Sequence, residues 1–418
     1  MSEGTTGTTV RARFRPRSSK ESGERCVEYV SDNTISFTGP DGARHTFNFD
    51  KIYPEGTSQG AVFSDLTFVV EAALAGYNGT IMAYGQTGSG KTHTLLGYVA
   101  EPEQLGVVPR AVGHLAEGIG RAAEREGAEF EVTLSVVEIY CERINDLLYP
   151  FPGTGAGENL AVKTHAERGM YIEGATELVV RDEQQMVDVM TRGLAARSVA
   201  ATSMNETSSR SHCIVTVRVD KTSRDGSGQT GKLVMVDLAG SERAVRTGAA
   251  GATLVEGSLI NKSLSCLSNV ITALTEDTRG RPRHVPYRDS KLTRVLQDSL
   301  GGTSRTVLII CCSPVRENAA ETMSSLRFGS RAKGVQNTVS VNTRHSPEQL
   351  QRLLDQAKTR LAQMGAELAA ARAALAAAGL ELPAPPAAAA AAAAAGVTGE
   401  TSAVLPPALP QQQQQAVV

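Results

Sequence analysis

Along the first 350 residues, apolar and β-branched positions gather into short runs that predict buried strands: Val10–Arg15, Thr80–Tyr84, Phe130–Ile139, His212–Val219, Lys232–Val236 and Thr306–Cys311. Between them, apolar residues recur at helical spacing in Ala61–Leu74, Glu183–Ala195 and Leu254–Leu274. This alternation predicts an α/β protein with a large, mostly parallel or mixed central sheet and helices on both faces. Pro150–Glu158 and Ser223–Gly231, rich in glycine and polar residues, read as surface loops. After about Ser346 the pattern changes. Ser346-Pro347-Glu348-Gln349 has the N-cap serine, first-turn proline and reciprocal glutamine of a helix start. Leu350, Leu354, Ala357, Leu361, Met364, Leu368, Ala371, Leu375, Ala378 and Leu382 then recur at alternating spacings of four and three. That seam predicts a parallel coiled-coil homodimer. Alanines at alternate core positions and Gly365 make the expected dimer weak, and a monomeric amphipathic helix is the alternative. From Pro383 the chain is Pro/Ala/Gln low complexity, expected to be disordered.

Composition narrows this picture. Lys and Arg total 42 against 44 acidic residues, a formal charge of −2, which excludes a wholly basic nucleic-acid binder and requires any anionic partner to be met by a local patch. With 41% apolar residues a sizeable core can form. No apolar run nears the roughly 20 residues needed to cross a bilayer, and the N-terminus lacks an apolar signal core, so a soluble protein without membrane insertion is expected. Six cysteines show no paired or metal-ligand spacing with the seven histidines, and read as reduced core thiols.

The chemistry concentrates at Gly85-Gln86-Thr87-Gly88-Ser89-Gly90-Lys91-Thr92, which fits GxxxxGK[ST] between a predicted strand and a helix. Glycines there let backbone N–H groups converge on phosphate oxygens, Lys91 would reach the β- and γ-phosphates, and the Thr92 hydroxyl would ligate Mg²⁺. Asn261-Lys262-Ser263-Leu264 starts like a guanine-reading NKxD but lacks its aspartate, which tilts the base towards ATP. Asp237, at the end of an apolar strand, would stand near the Mg²⁺ shell, acting through a water, and Gly240 could offer its N–H to the γ-phosphate. A serine-rich polar loop, Asn205–His212, suits hydroxyl contacts to metal and water. A lone DxxG is more often a surface turn; in this order with the other two segments it gains weight.

With those segments in place, the sequence resembles the kinesin motor domain family from about Val10 to Asn342. The markers are Arg13-Phe14-Arg15-Pro16, the phosphate loop, Asn205–His212, Asp237-Leu238-Ala239-Gly240-Ser241-Glu242, and His284 through Thr293. Cys311–Pro314, Arg331–Lys333 and Asn337–Asn342 are most similar to conventional heavy chains. The resemblance implies a P-loop NTPase-type fold in which Arg13, Arg15, Pro16, Tyr77 and His93 frame adenine and ribose. It further implies that Ser209 joins Thr92 around Mg²⁺, Ser208 places the attacking water, and Arg210 and Glu242 form an ion pair across the γ-phosphate. Catalysis would then rest on Glu242, Arg210, Ser208 and Lys91. It divides the chain into a motor domain (1–331), a neck linker (332–345), a neck helix (346–382) and a tail (383–418). The linker would dock along the core with Asn342 as a latch, and Thr5–Val10 would pair with it as a cover strand.

Residues 279–294 hold Arg279, Arg281, Arg283, Arg288, Lys291 and Arg294 against one acid, Asp289. Alone, such a run reads as a solvated face. The resemblance turns it towards the acidic surface of microtubules (tubulin), joined by Arg243, Arg246 and Lys262, with Lys163 and Arg168 as a second contact. Aromatics at 4% and no tryptophan argue against nucleic acid. The function implied is an ATP-driven, plus-end-directed microtubule motor, a microtubule-stimulated ATPase of the cytoplasmic cytoskeleton. The alternatives are a non-walking microtubule-binding scaffold, a depolymerase, or a nucleotide-gated switch.

Overall fold

The computed structural model describes residues 4–19, 21–98, 100–149, 155–165, 168–202, 209–242, 252–276 and 284–378. Its centre is a mixed sheet in the spatial order β12 (Leu178–Val180), β8 (Glu129–Tyr140), β13 (His212–Thr222), β14 (Gly228–Asp237), β7 (Asn78–Tyr84), β15 (Ser304–Cys312), β2 (Thr9–Phe14) and β6 (Lys51–Tyr53). Pairings from β12 to β14 are antiparallel, and those from β14 to β6 are parallel. The parallel strands are buried on both faces, which is why they read as unbroken apolar runs. Strand alternation divides the core in two. Ile81, Ala83, Val307, Ile309 and Met235 face one apolar cluster, and Met82, Tyr84, Leu308, Ile310 and Val236 face the other.

Helices cover both faces. On one lie α2 (Thr67–Leu74), α4 (Val107–Glu126) and α5 (Glu183–Thr202); on the other lie α6 (Ala252–Thr275) and α8 (Ala319–Ala332). The approach of α2 to β14 leaves no room for a side chain: a Cβ at Gly231 would stand 1.7 Å from the Ala73 carbonyl oxygen. The pattern read as one helix over Ala61–Leu74 is two, α1 (Gln59–Ser64) and α2. Ser58 caps α1 by accepting from the Ala61 N–H, and Asp65, at the break, accepts a hydrogen bond from the Tyr53 hydroxyl at 3.0 Å. The region read as a loop at Ser223–Gly231 is a shorter turn, because β14 already begins at Gly228.

Smaller elements flank the sheet: a three-stranded sheet β3 (Val27–Tyr29), β4 (Thr34–Thr38) and β5 (Arg44–Asn48); β9 (Arg143–Asp146) folded back on β8; and a hairpin of β10 (Ala161–His165) and β11 (Gly169–Glu173). Two short helices, α3 (Lys91–Leu95) and α7 (Lys291–Val295), carry site residues.

The segment after α8 lies along the sheet end. β1 (Gly4–Gly7) pairs antiparallel with β16 (Gln336–Val339), a cover strand earlier and shorter than Thr5–Val10, since Thr9 and Val10 belong to β2. Strand β16 ends at Val339. Asn342 donates through Nδ2 to Gly76 O (3.1 Å), Asn78 Oδ1 (3.0 Å) and Thr230 O (2.9 Å), and β17 (Thr343–Arg344) pairs with β14. The capping box forms: Gln349 N–H donates to Ser346 Oγ at 3.2 Å, and Ser346 N–H to Gln349 Oε1 at 3.3 Å.

The chain divides into two units, 1–349 and 350–418. Helix α9 (Pro347–Ala377), which supplies the second unit from Leu350 on, runs unbroken through Gly365, with Leu350, Leu354, Leu361, Met364 and Leu368 exposed. The segment 379–418, including the seam's end and the low-complexity tail, lies outside the described residues. The described cysteines are all free, and all but Cys141 are buried. Among the described residues no helix is long and apolar enough to cross a membrane.

Candidate nucleotide site

Strand β7 delivers the glycine-rich loop. At its end Gly85 takes φ +151°, and a Cβ there would lie 2.3 Å from the Cys311 carbonyl oxygen, so the sharp exit from the sheet admits only glycine. The loop closes at Gly90 (φ +96°), which opens α3 at Lys91. Around Gly88 nothing lies within 4 Å of where a Cβ would stand, so the loop there faces open space. Lys91 is buried, and its ammonium donates to the loop's own carbonyls at Gly85 (2.8 Å) and Gln86 (2.9 Å). Burial pushes its pKa down, against the pull of Asp237 and Glu242. Ser89 Oγ is buried and takes no partner among the described residues.

On the metal side, the Thr92 hydroxyl donates to Asp237 Oδ2 at 2.8 Å. The same oxygen accepts from Arg197 Nη1 at 2.8 Å, both side chains being almost fully buried. Asp237 Oδ1 is also buried but has no partner among the described residues. A buried carboxylate oxygen left unspent beside a threonine hydroxyl and a phosphate loop fits Mg²⁺, which takes one or two carboxylates and completes its shell with nucleotide oxygens and water. Among the described residues there is no cluster of three or more His, Cys, Asp or Glu suited to a metal.

The turn after β14 is wired onto the phosphate loop. Gly240 N–H donates to Ser209 O (2.8 Å) and Ser241 N–H to Gly85 O (3.1 Å). Glu242 accepts from the Thr87 N–H at 2.8 Å and from the Thr87 hydroxyl. Beneath it, Ala239 N–H donates to His212 Nδ1 at 2.9 Å, so the ring's proton sits on Nε2, facing Ser263 Oγ at 2.7 Å. Burial pushes the His212 pKa down to about 3, helped by Arg197 and Lys91. Arg210 is half-buried next to Ser209, while Ser208 and the rest of its loop from 203 lie outside the described residues.

The expected base-binding residues separate. Arg15 bridges Gly88 O (2.6 Å) and Glu21, Pro16 is exposed beside it, and His93 stands edge-on to Tyr98 at 5.5 Å. Arg13 is nearby but buried, its guanidinium donating to Gln59 Oε1 (2.8 Å) and Thr94 Oγ1 (2.9 Å). Tyr77 does not join them. It precedes β7 at the end opposite the phosphate loop, about 23 Å away along seven residues of strand. There it packs with Val339 and Ala72 beneath the Arg305 guanidinium. Strand direction, invisible in a short motif, decides this.

The basic face is partly described. A single turn at Tyr287–Asp289 leads into α7, which bears Lys291 and Arg294; Arg288 and, on α6, Lys262 are exposed. Arg243, Arg246, Arg279, Arg281 and Arg283 lie outside the described residues. Lys163 and Arg168 sit on and beside the β10–β11 hairpin, but each is already paired, with Glu173 at 2.7 Å and Glu177 at 2.6 Å.

Two site residues carry no sequence motif. Arg197 meets Asp237 from 40 positions away, and no local pattern announces it. Glu142, in a turn where it and Cys141 both have positive φ, accepts from the Ser290 hydroxyl and the Lys291 N–H at 2.8 Å and so anchors α7. An acid directly after a strand, before the Arg143–Asp146 run, is its only signal.

The profile of the kinesin motor domain matches residues 13–335. The chain is 45% identical over 371 residues to the kinesin heavy chain of Neurospora crassa, covering 86% of this chain and 38% of that one. It is 45% identical over 362 residues to kinesin-related protein 3 of Dictyostelium discoideum (84% and 29%), and 43% identical over 354 residues to human kinesin heavy chain isoform 5C (84% and 36%). The chain thus spans about a third of the length of these relatives. A solved structure described as that of a fast kinesin superposes with a TM-score of 0.74 at 45% identity, over 82% of this chain and 95% of that one.

Proposed function

The chain belongs to the kinesin motor domain family, and from that premise we propose that it is an ATP-driven microtubule motor, hydrolysing ATP to ADP and phosphate and moving on microtubules in the cytoplasm. The observation that carries this reading is the double attachment of the turn after β14. Glu242 and the Ser241 N–H hold the phosphate loop, and the Gly240 N–H holds Ser209. The same chain segment continues to α6, which bears Lys262 on the basic face. A nucleotide seated on Gly85–Thr92 lies next to those bonds, and in this reading a change in them passes along the same segment towards elements that carry track contacts.

In this reading Lys91 leaves its own loop carbonyls for phosphate oxygens, and Arg15 and His93 line the base side. Glu242 accepts a proton at its carboxylate through water, in concert with Arg210 and Ser208. Thr92, Ser209 and Asp237 would hold Mg²⁺, which when bound neutralises phosphate charge. The track face comprises Lys262, Arg288, Lys291 and Arg294, with Arg243, Arg246, Arg279, Arg281 and Arg283 as further contributors. Lys163 and Arg168 contribute only by exchanging their internal acids. The segment 332–345 acts as the neck linker and α9 as a neck helix that forms a weak homodimer. The placement of the linker after the motor supports plus-end direction.

Phosphate release with and without microtubules tests the reading. Turnover should rise at least tenfold with saturating microtubules, and filament pelleting should differ between nucleotide-free, ATP-analogue and ADP states. Equal pelleting in all three states would end the motor reading, and gliding of polarity-marked filaments decides direction.

A further inference from the structure

Three central strands carry a polar floor where a covered sheet face is ordinarily apolar. Ser135 on β8 and Thr216 on β13 are register partners, as are Arg218 and Lys232 on β13 and β14, and all project to the same side. The β10–β11 hairpin roofs this floor with Val162, Met170 and Ile172, enclosing a cavity of about 250 Å³. The roof is pinned by one ammonium and one carboxylate: Lys232 Nζ donates to Met170 O (3.2 Å) and Asp298 Oδ2 (3.0 Å), and that same oxygen accepts from the Met170 N–H at 2.9 Å. A third wall is the neck latch, since Asn342 and two of its partners, Asn78 and Thr230, line the same space.

The lining also states what would fit. Its ions are matched internally: Lys232 with Asp298, Arg168 with Glu177, and Arg218 with Asp220 at 3.3 Å. A charged guest would have to break one of these pairs. The hydroxyls of Ser135 and Thr216, half-exposed to the cavity, take no hydrogen bond from the described residues. What remains is a space of about 250 Å³ bounded by aliphatic side chains and two unspent hydroxyls, near the lower size limit of small-molecule sites.

We propose that this cavity is a binding site for a small uncharged molecule with one or two fused rings and a single hydrogen-bonding group, and that filling it steadies the Asn342 latch. The ring lies under Val162 and Ile172, and its polar group meets Thr216 and Ser135. Contact with Asn342 and Thr230 favours the latched arrangement by the differential affinity of the guest for it.

The probe is 2-naphthol, titrated onto the full chain by ligand-observed NMR, with 2-naphthoate as its charged counterpart. Saturable one-site binding is expected, weakened at least tenfold for 2-naphthoate. Thr216→Val, which keeps shape and removes the hydroxyl, should weaken 2-naphthol about tenfold, and Ala175→Phe should block the space. Nucleotide binding and a cooperative melt certify that each variant is folded, and Thr216→Val suffices should Ala175→Phe not fold. Amide exchange at Thr230 and Asn342, whose N–H groups bond to Asn342 O and Gly76 O at 2.9 Å, should slow several-fold with the probe bound. Absence of saturation, or equal affinity in the parent and Thr216→Val, overturns the site. Equal binding of 2-naphthoate overturns the assigned ligand class, and unchanged exchange at both amides with the site filled overturns the link to the latch.

Discussion

Glu242 holds the phosphate loop through Thr87, which makes it the side chain most directly placed between loop and turn. Glu242→Ala is expected to bind ATP within a few-fold of the parent yet lose at least a hundredfold in turnover, the usual yield of a positioned proton acceptor. Nucleotide titration beside single-turnover phosphate release checks this, and near-normal release would remove Glu242 from the chemistry. His212 makes a different contribution. Neutral in the fold with a pKa of about 3, it is protonated below about pH 6.5 in the unfolded chain. Between those values the unfolded state binds more protons, so stability falls as pH falls, by up to about 1.4 kcal/mol per unit. Urea melts of the parent and His212→Gln between pH 6 and 4 should differ in slope by about that amount; parallel slopes would clear His212. At this scale the sequence is legible where chemistry is contiguous. Gly85 to Thr92 and Asp237 fall where their motifs put them. Tyr77 departs from its expected place because seven residues of strand separate it from the loop, and Arg197 is silent in the sequence because only the folded sheet end brings it to Asp237.

At the scale of elements, the buried parallel strands are readable from their apolar runs, while the hairpin β10–β11 and the small sheet β3–β5 are not. The hairpin strands are short and largely exposed or half-exposed, and the one clear alternation in the small sheet, Ile35 and Phe37 in β4, spans only five residues. Helix α4 is hidden by Pro109, Gly113, Gly118 and Gly120, which dilute helical propensity although proline is tolerated in a first turn. The latch is legible in outline, but its acceptors are not, since Gly76, Asn78 and Thr230 converge only through the sheet. Asn342→Ala removes three hydrogen bonds, each worth about 1 kcal/mol. It should speed amide exchange at Thr230 at least tenfold and slow filament gliding, with ATP turnover held within about twofold. Unchanged exchange would show the backbone pairs alone suffice.

Across the whole molecule, near-neutral net charge leaves the basic face as a local feature, so the attraction proposed between it and an acidic filament would be screened by salt. Microtubule affinity should fall at least tenfold between about 25 and about 200 mM ionic strength; a flat dependence would rule out the face at Lys262, Arg288 and Lys291. Self-association is a separate question, posed by the exposed seam of α9. Sedimentation should detect dimer at tens of micromolar protein, abolished by Leu361→Asp together with Leu368→Asp, whereas a monomer at every concentration would leave α9 a single helix. Strand β14 joins these scales. Its first residues pair with Thr343 and Arg344, Lys232 pins the hairpin roof, and its last residue is Asp237. Because an extended chain cannot lengthen, the strand acts as a ruler of fixed span. Adding or deleting one residue within it would turn Asp237 away from Thr92 or Thr230 away from Asn342, so the two ends of the strand are tied to one fixed separation.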